Sequence, residues 1–179
     1  MTIDLERLFV ESGALKEGHF LLASGRHSDK YLEKFDLLRN PSATSQVLEP
    51  LAARLTDWGI DLVVGPTTGG ILLAFELARQ LGLPAAYAER KGEGLSGREI
   101  KRGTSFVPGS RVFVIDDILT TGGSIAETLN ALNEHPVEVV GIAAFRALRD
   151  EARELFADHP AAARIDAHFA QLLVDEVGH

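Results

Sequence analysis

The sequence of 179 residues predicts an α/β protein with a mostly parallel sheet flanked by helices. Two observations predict this class. Apolar runs of strand length alternate with amphipathic runs of helical length, which is typical of βαβ units. The strand-length runs are apolar at nearly every position, so both faces of the sheet must be covered. The length suits one domain, and we predict a single domain over residues 1–179.

The first third of the chain predicts two helices separated by a segment rich in turn residues. The run LERLFVESG has apolar residues at helical spacing and ends on Gly13, so we expect a short helix there. Residues 14–41 are mixed, with turn signals in SGRHSD and RNP. A second helix is expected over residues 43–57, although Pro50 removes one backbone hydrogen bond. Its apolar face holds Val47, Leu48, Leu51 and Leu55.

The alternation that predicts the sheet lies in the rest of the chain. Four runs have strand length: IDLVVG (60–65), LPAAYAER (83–90), RVFVID (111–116) and VEVVGIAAF (137–145). The run GGILLAFELARQLG predicts a helix that ends at Gly82. Ser124 and Glu127 fit a capping box, so another helix is expected to begin there. Ligands of such sheets bind at the carboxyl ends of the strands, so the functional site is expected along that edge.

Composition excludes several classes of protein. The formal net charge of −8 argues against a general nucleic-acid-binding protein. The absence of cysteine excludes a disulfide framework and a cysteine-ligated metal site, and it agrees with a cytoplasmic location. No apolar run approaches the ~20 residues that cross a bilayer, and the start MTIDLERLFVESG is not a signal peptide. The six histidines show no metal-ligand spacing, and of these only His27 is a candidate for the site.

The third strand end carries the most specific pattern, DDILTTGGS. Gly122 and Gly123 allow close backbone approach, and the backbone N–H groups of residues 120–124 would form a cradle for a phosphate. Asp116 and Asp117 repel a phosphate but suit hydroxyl groups or a hydrated Mg²⁺. A ligand with both a phosphate and a diol is a sugar phosphate. The alternative is that the aspartates merely end a strand and that TTGGS is a turn.

The segment after the second strand is glycine-rich and basic. Its GEGLSG (92–97) matches G-x-G-x-x-G, but no amphipathic helix follows, so a dinucleotide site is not expected. Residues 91–103 are too polar to form an apolar core, and we interpret them as a mobile lid. A plain solvated loop is the alternative. The basic residues of this segment are Lys91, Arg98, Lys101 and Arg102.

The stretch VFVIDDILTTGGS resembles the signature of the type I phosphoribosyltransferases, whose substrate is 5-phosphoribosyl 1-diphosphate (PRPP). The resemblance implies that family's fold, with residues 1–40 contributing a small hood over the base site. It implies that Asp116 and Asp117 hold the ribose hydroxyls. The implied PRPP-binding set is completed by Thr67, Thr68, Gly69, Arg90, Lys91, Ile118, Leu119, Thr120, Thr121, Gly122, Gly123 and Ser124.

Two further stretches resemble the orotate phosphoribosyltransferases. They are GALKEGHFLLASGRHSDKYLEKFDLL, which is similar to the amino-terminal region, and GPTTGGILLAFELARQLGLP, which is similar to the diphosphate-side loop and its helix. The resemblance implies orotate as the base, with purine phosphoribosyltransfer and a PRPP-sensing regulator as alternatives. The implied orotate-binding residues are Thr120, Arg26, Tyr31 and Arg149, the last favoured over Arg146 in an alignment ambiguous by one residue.

The chain departs from that family at several basic positions. A common lysine before the Ser-Gly-Arg landmark is Ala23 here, and a common lysine of the diphosphate loop is Gly69. The lid lacks the Lys-x-His-Gly of well-known bacterial members, although short lids also occur in the family. Another residue must then neutralise the diphosphate. The candidates are Arg98, Lys101 and Arg102, and we assign Lys101 and Arg102, with the two aspartates, to the catalytic set.

The resemblance also implies partners. Mg²⁺ would arrive with PRPP, with Asp116 as a candidate ligand through water. A homodimer is expected, because in the family a neighbouring subunit supplies the lid. No nucleic acid or membrane partner is expected. The implied reaction gives orotidine 5′-phosphate and diphosphate.

Overall fold

The structure is a computed structural model that describes residues 5–21, 27–101, 104–117 and 122–144. In chain order the elements are α1 (Leu5–Glu11), β1 (Leu15–Leu21), β2 (His27–Leu32), α2 (Lys34–Leu38), α3 (Pro41–Leu55), β3 (Leu62–Pro66), α4 (Gly69–Leu81), β4 (Ala85–Arg90), β5 (Arg98–Glu99), β6 (Ser110–Asp116), α5 (Gly123–Leu132) and β7 (Val137–Ala144). The prediction of a single domain over residues 1–179 stays a prediction, because the described residues end at 144.

The main sheet has five strands in the order β5-β4-β3-β6-β7. Strand β3 pairs in parallel with β4 and β6, and β6 pairs in parallel with β7. Only the short edge strand β5 is antiparallel, against β4. The predicted fold class is therefore confirmed. The parallel strands all run the same way, so their carboxyl ends lie along one edge of the sheet.

Both faces of the sheet are covered, which explains the nearly continuous apolar runs. In β6, Phe113 and Ile115 lie in a buried cluster with α3 and α4, whereas Val112 and Val114 lie in the cluster with α5. Successive side chains of a strand point to opposite faces, so a strand covered on both sides has no polar face. Helix α3 continues through Pro50, as predicted. No helix in the described ranges has the length and apolar character that a membrane span requires.

The amino-terminal segment forms an antiparallel hairpin of β1 and β2, followed by α2. The sequence did not predict these elements. Most of β1 is exposed, so it lacks the buried alternation that identifies a strand. Phe20 stacks on Tyr31, with ring centroids 5.4 Å apart, and His19 stacks on His27. The position of this hairpin over a base stays a prediction.

The predicted capping box at the start of α5 is wrong. The helix begins at Gly123, and its N-cap is Gly122, which has a φ of 71° and makes no side-chain cap hydrogen bond. The positive φ favours glycine at this position. Ser124 and Glu127 instead contact Arg98, which lies in β5.

Candidate functional site

Three segments with polar residues converge at the carboxyl edge of the sheet. After β3 the chain turns through Thr67 and Thr68 into α4. Strand β4 ends at Arg90, and β6 ends at Asp116. Several residues singled out in the sequence lie outside the described ranges: Ala23, Arg26, Arg102, Ile118, Leu119, Thr120, Thr121, Arg146 and Arg149. Their roles stay predictions.

The two aspartates form a buried acidic pair. Asp116 is 6% exposed and Asp117 is 5% exposed. The backbone N–H of Asp117 donates a hydrogen bond of 2.7 Å to Oδ1 of Asp116. Burial, and then the charge of Asp117, raises the pKa of Asp116 to about 7, against the opposing effects of that hydrogen bond, Lys34 and Arg98. Buried neighbouring carboxylates with a raised pKa are typical of functional sites rather than of ordinary strand ends.

A lysine from the amino-terminal segment meets the acidic pair. Lys34, the first residue of α2, places Nζ 2.8 Å from Oδ2 of Asp117. The sequence did not identify this residue, because it lies in a segment with mixed patterning. No local signal could have found it, since the contact joins parts of the chain that are distant in sequence.

The glycines of the diphosphate-side turn are required by close packing. A Cβ at Gly69 would collide with Oδ2 of Asp117, and a Cβ at Gly65 would collide with the backbone oxygen of Gly70. The turn after β3 therefore lies directly against the acidic pair. This contact confirms that the first and third strand ends, PTTGG and DD, form one site.

Arg98 ties the three segments together. Its guanidinium donates to Oγ1 of Thr67 at 2.7 Å, to the backbone oxygen of Ala88 at 3.0 Å and to Oγ of Ser124 at 3.3 Å. Its Nε lies 3.2 Å from Oε2 of Glu127, an ionic contact without hydrogen-bond geometry. The residue is 3% exposed. Arg98 thus joins the turn after β3, strand β4 and the start of α5.

This burial corrects the interpretation of residues 91–103 as a lid without regular structure. Arg98 and Glu99 form β5, and Ile100 is buried in the core. The local sequence is polar and glycine-rich, but Arg98 finds its partners on other segments. Exposed residues are confined to the turn over residues 92–96 and to Lys101.

Other predicted residues lie elsewhere in the structure. Lys101 pairs with Glu99 at 2.7 Å and is exposed, and Lys91 lies 3.6 Å from Glu134. Neither is brought to the acidic pair in this structure. Tyr31 is exposed on the hairpin, and His27 contacts His19.

Comparison with known proteins agrees with this geometry. The family model of the phosphoribosyl transferase domain matches residues 37–164. The chain belongs to the phosphoribosyltransferase family. The match spans most of the described residues, from α2 through β7, including both turns of the site.

Among curated phosphoribosyltransferases, the orotate phosphoribosyltransferase of Desulforamulus reducens is 38% identical over 75% of this chain and 69% of its own length. That of Chlorobium phaeobacteroides is 41% identical over 75% of this chain and 68% of its own. The crystal structure of orotate phosphoribosyltransferase from Aeropyrum pernix superposes with a TM-score of 0.75 at 28% identity, covering 97% of this chain and 98% of that one.

A crystal structure of an adenine phosphoribosyltransferase superposes with a TM-score of 0.65 at 21% identity. That likeness concerns the phosphoribosyltransferase fold alone. The fold is therefore shared by family members that act on different bases, and the base must be argued from other observations.

Proposed function

We propose that this protein transfers the 5-phosphoribosyl group from PRPP to orotate, giving orotidine 5′-phosphate and diphosphate. The observation that carries the proposal is the buried acidic pair at the end of β6, packed against the glycine turn that begins α4. It stands in a chain about 40% identical to curated orotate phosphoribosyltransferases over three quarters of its length. The amino-terminal resemblance over residues 13–38 further supports orotate rather than a purine.

The reaction exchanges one bond at C1′ of the ribose. A ring nitrogen of orotate forms a bond to C1′, and the C1′–O bond to the diphosphate breaks, with its electron pair leaving on the diphosphate oxygen. Positive charge develops on the sugar and negative charge on the leaving group. The protein must therefore position both reactants, stabilise the leaving group and exclude water that would hydrolyse PRPP.

The described residues divide these tasks between two turns. The carboxylates of Asp116 and Asp117 accept hydrogen bonds from the ribose hydroxyls. Helix α5, which starts at Gly123, presents backbone N–H groups toward the 5′-phosphate. The turn after β3 presents its backbone toward the diphosphate. Arg98 keeps the two turns at a fixed separation through Thr67 and Ser124.

The donor set fits a magnesium ion that arrives with PRPP. In the described part of the chain no group of three or more histidine, cysteine or acidic residues could hold a metal by itself. The acidic pair offers carboxylate oxygens, and Mg²⁺ is commonly bound by one or two carboxylates together with substrate phosphates. Asp116 is the candidate ligand, through water. When bound, the ion would neutralise charge on the leaving diphosphate.

The proposal includes a homodimer in the cytoplasm. Helices α2 and α4 pack against each other, and both leave large apolar side chains on the surface. Phe35 and Leu72 are each 42% exposed, and Phe75 is 67% exposed. Exposed apolar patches of this kind commonly mark protein interfaces. Sedimentation of wild type and of Phe75→Glu tests the dimer, because a charge at the centre of this patch should yield monomers. The cytoplasmic location is supported by the cysteine-free composition.

Diphosphate release from PRPP in the presence and absence of orotate tests the proposed activity. Release should require orotate and Mg²⁺, and chelation of the metal should stop it. Replacing Asp116 and Asp117 with asparagine should lower turnover by about 10²-fold or more, because charged hydrogen-bond acceptors at the reacting sugar are lost. A folded double variant that turns over at the wild-type rate would exclude the acidic pair from the reaction.

A further inference from the structure

The acidic pair has a basic partner to which the sequence assigned no role. Lys34 Nζ lies 2.8 Å from Oδ2 of Asp117. The Asp117 side chain is only 7% exposed, whereas that of Lys34 is 31% exposed. The carboxylate is therefore enclosed, but the lysine that pairs with it remains accessible to a ligand.

The glycine turn fixes where this ammonium lies. The same oxygen of Asp117 that accepts from Lys34 is packed so closely on Gly69 that a Cβ there would collide with it. Lys34 and the first residue of α4 therefore meet on one carboxylate oxygen. The ammonium is held beside the turn that faces the diphosphate, and any larger residue at position 69 would displace its anchor.

The ammonium has donors left for a ligand. A lysine carries three N–H donors, and the contact with Asp117 uses one of them. The ammonium also lies 5.4 Å from the centroid of the Phe35 ring, which restricts its position without using a hydrogen bond. Its remaining donors are therefore available on the exposed side.

The other basic side chains of the site are committed elsewhere. Arg98 is buried among Thr67, Ala88 and Ser124. Lys101 pairs with Glu99, and Lys91 lies near Glu134. Within the described ranges, Lys34 is the lysine that both touches the acidic pair and stays accessible.

We propose that Lys34 binds the diphosphate group of PRPP and stabilises the negative charge that develops there as the C1′–O bond breaks, with Asp117 as the residue that positions its ammonium. This inference rests on the proposed function. Its physical reason is electrostatic: a diphosphate beside two carboxylates is repelled unless a cation stands between them. The assignment also divides the acidic pair, because Asp117 is partly engaged by the lysine and Asp116 is left for the ribose hydroxyls.

Ligand binding by Lys34 variants separates this role from a purely structural one. The dissociation constants of diphosphate and of ribose 5-phosphate are measured in the presence of Mg²⁺, without a base, for wild type, Lys34→Met and Lys34→Arg. Loss of one charged hydrogen bond should weaken diphosphate binding by about 10- to 100-fold. Ribose 5-phosphate has no diphosphate, and its binding should change by less than about 3-fold. Arginine should restore part of the affinity, because it keeps the charge.

Lys16→Met is the matched control. Lys16 also forms an ion pair with an aspartate, Asp36, at 3.0 Å, but it lies on β1. This variant should bind both ligands as wild type does. If Lys34→Met fails to fold, Lys34→Gln carries the test, because its amide can still donate to Asp117 without a charge.

Two results would overturn the assignment. In the first, diphosphate binds to the Lys34 variants as tightly as to wild type. In the second, both ligands weaken equally, which would mean that Lys34 acts only through the aspartates on the sugar. Because the binding measurements need no turnover, they decide the role of Lys34 separately from the reaction. Failure of wild type to release diphosphate from PRPP with orotate would instead refute the proposed function.

Discussion

Replacing Asp116 with asparagine should stabilise the unliganded protein while impairing its activity. Asp116 is 6% exposed and lies beside another carboxylate, so the folded state opposes its ionisation. A pKa of about 7 in place of the usual 3.8 corresponds to about 4 kcal/mol, at about 1.4 kcal/mol for each pKa unit. Asparagine removes the charge, and its amide oxygen can still accept the hydrogen bond from the backbone of residue 117.

The expected gain depends on pH in a defined direction. The folded-state pKa of Asp116 is raised, so the stability that this group contributes is fully present below about pH 3.8 and is lost as the pH rises through about 7. The variant lacks that loss. Relative to wild type it should gain about 1.5 kcal/mol at pH 5 and about 4 kcal/mol at pH 8.

Urea unfolding of both proteins at several pH values between 5 and 8 measures this difference. Asp57→Asn is the control, because Asp57 is exposed and its replacement should change stability by less than about 0.5 kcal/mol at either pH. A stability difference between wild type and Asp116→Asn that does not grow between pH 5 and pH 8 would refute the reasoning. So would a variant that is less stable than wild type at pH 8.

Three other predictions concern the turns of the site. Arg98→Met should lower the free energy of unfolding by roughly 2–3 kcal/mol and reduce kcat/KM for PRPP, because it breaks the link between the two turns, whereas Arg98→Lys should recover part of both in melting and rate measurements. Gly69→Ala should raise the KM for PRPP by about 10-fold or more, because a Cβ collides with Asp117, and Gly92→Ala, where a Cβ meets nothing, is its control. Hydrogen exchange should be fast at residues 92–96 and slowed by Mg²⁺ and PRPP, with Arg98 protected in both states; equal exchange with and without ligand would mean that the turn takes no part in binding.

Local patterns predicted the central part of the fold well, and the physical reason is burial. Strands covered on both faces must be apolar along their whole length, and β3 and β6 are. The hairpin of β1 and β2 was missed because it is largely exposed, so no buried period marks it. Strand β5 has only two residues and was missed because a run that short carries no period.

The site could be predicted only as far as its chemistry is contiguous in sequence. Asp116 and Asp117 follow a strand directly, so their place at the sheet edge could be deduced. Arg98 was placed in a solvated lid because its neighbours in sequence are polar, whereas its burial comes from Thr67, Ala88 and Ser124. Such contacts depend on the tertiary arrangement of separate segments and leave no local pattern.

The most direct test of the central claim is a competition among bases in one reaction. Wild-type protein receives Mg²⁺ and PRPP with equal concentrations of orotate, uracil, adenine and hypoxanthine, and the nucleotides formed are identified by mass spectrometry. The ratio of products reports the ratio of kcat/KM values, which is the measure of specificity. We expect orotidine 5′-phosphate as the dominant product. A purine nucleotide as the dominant product, or no nucleotide at all, would contradict the proposed activity.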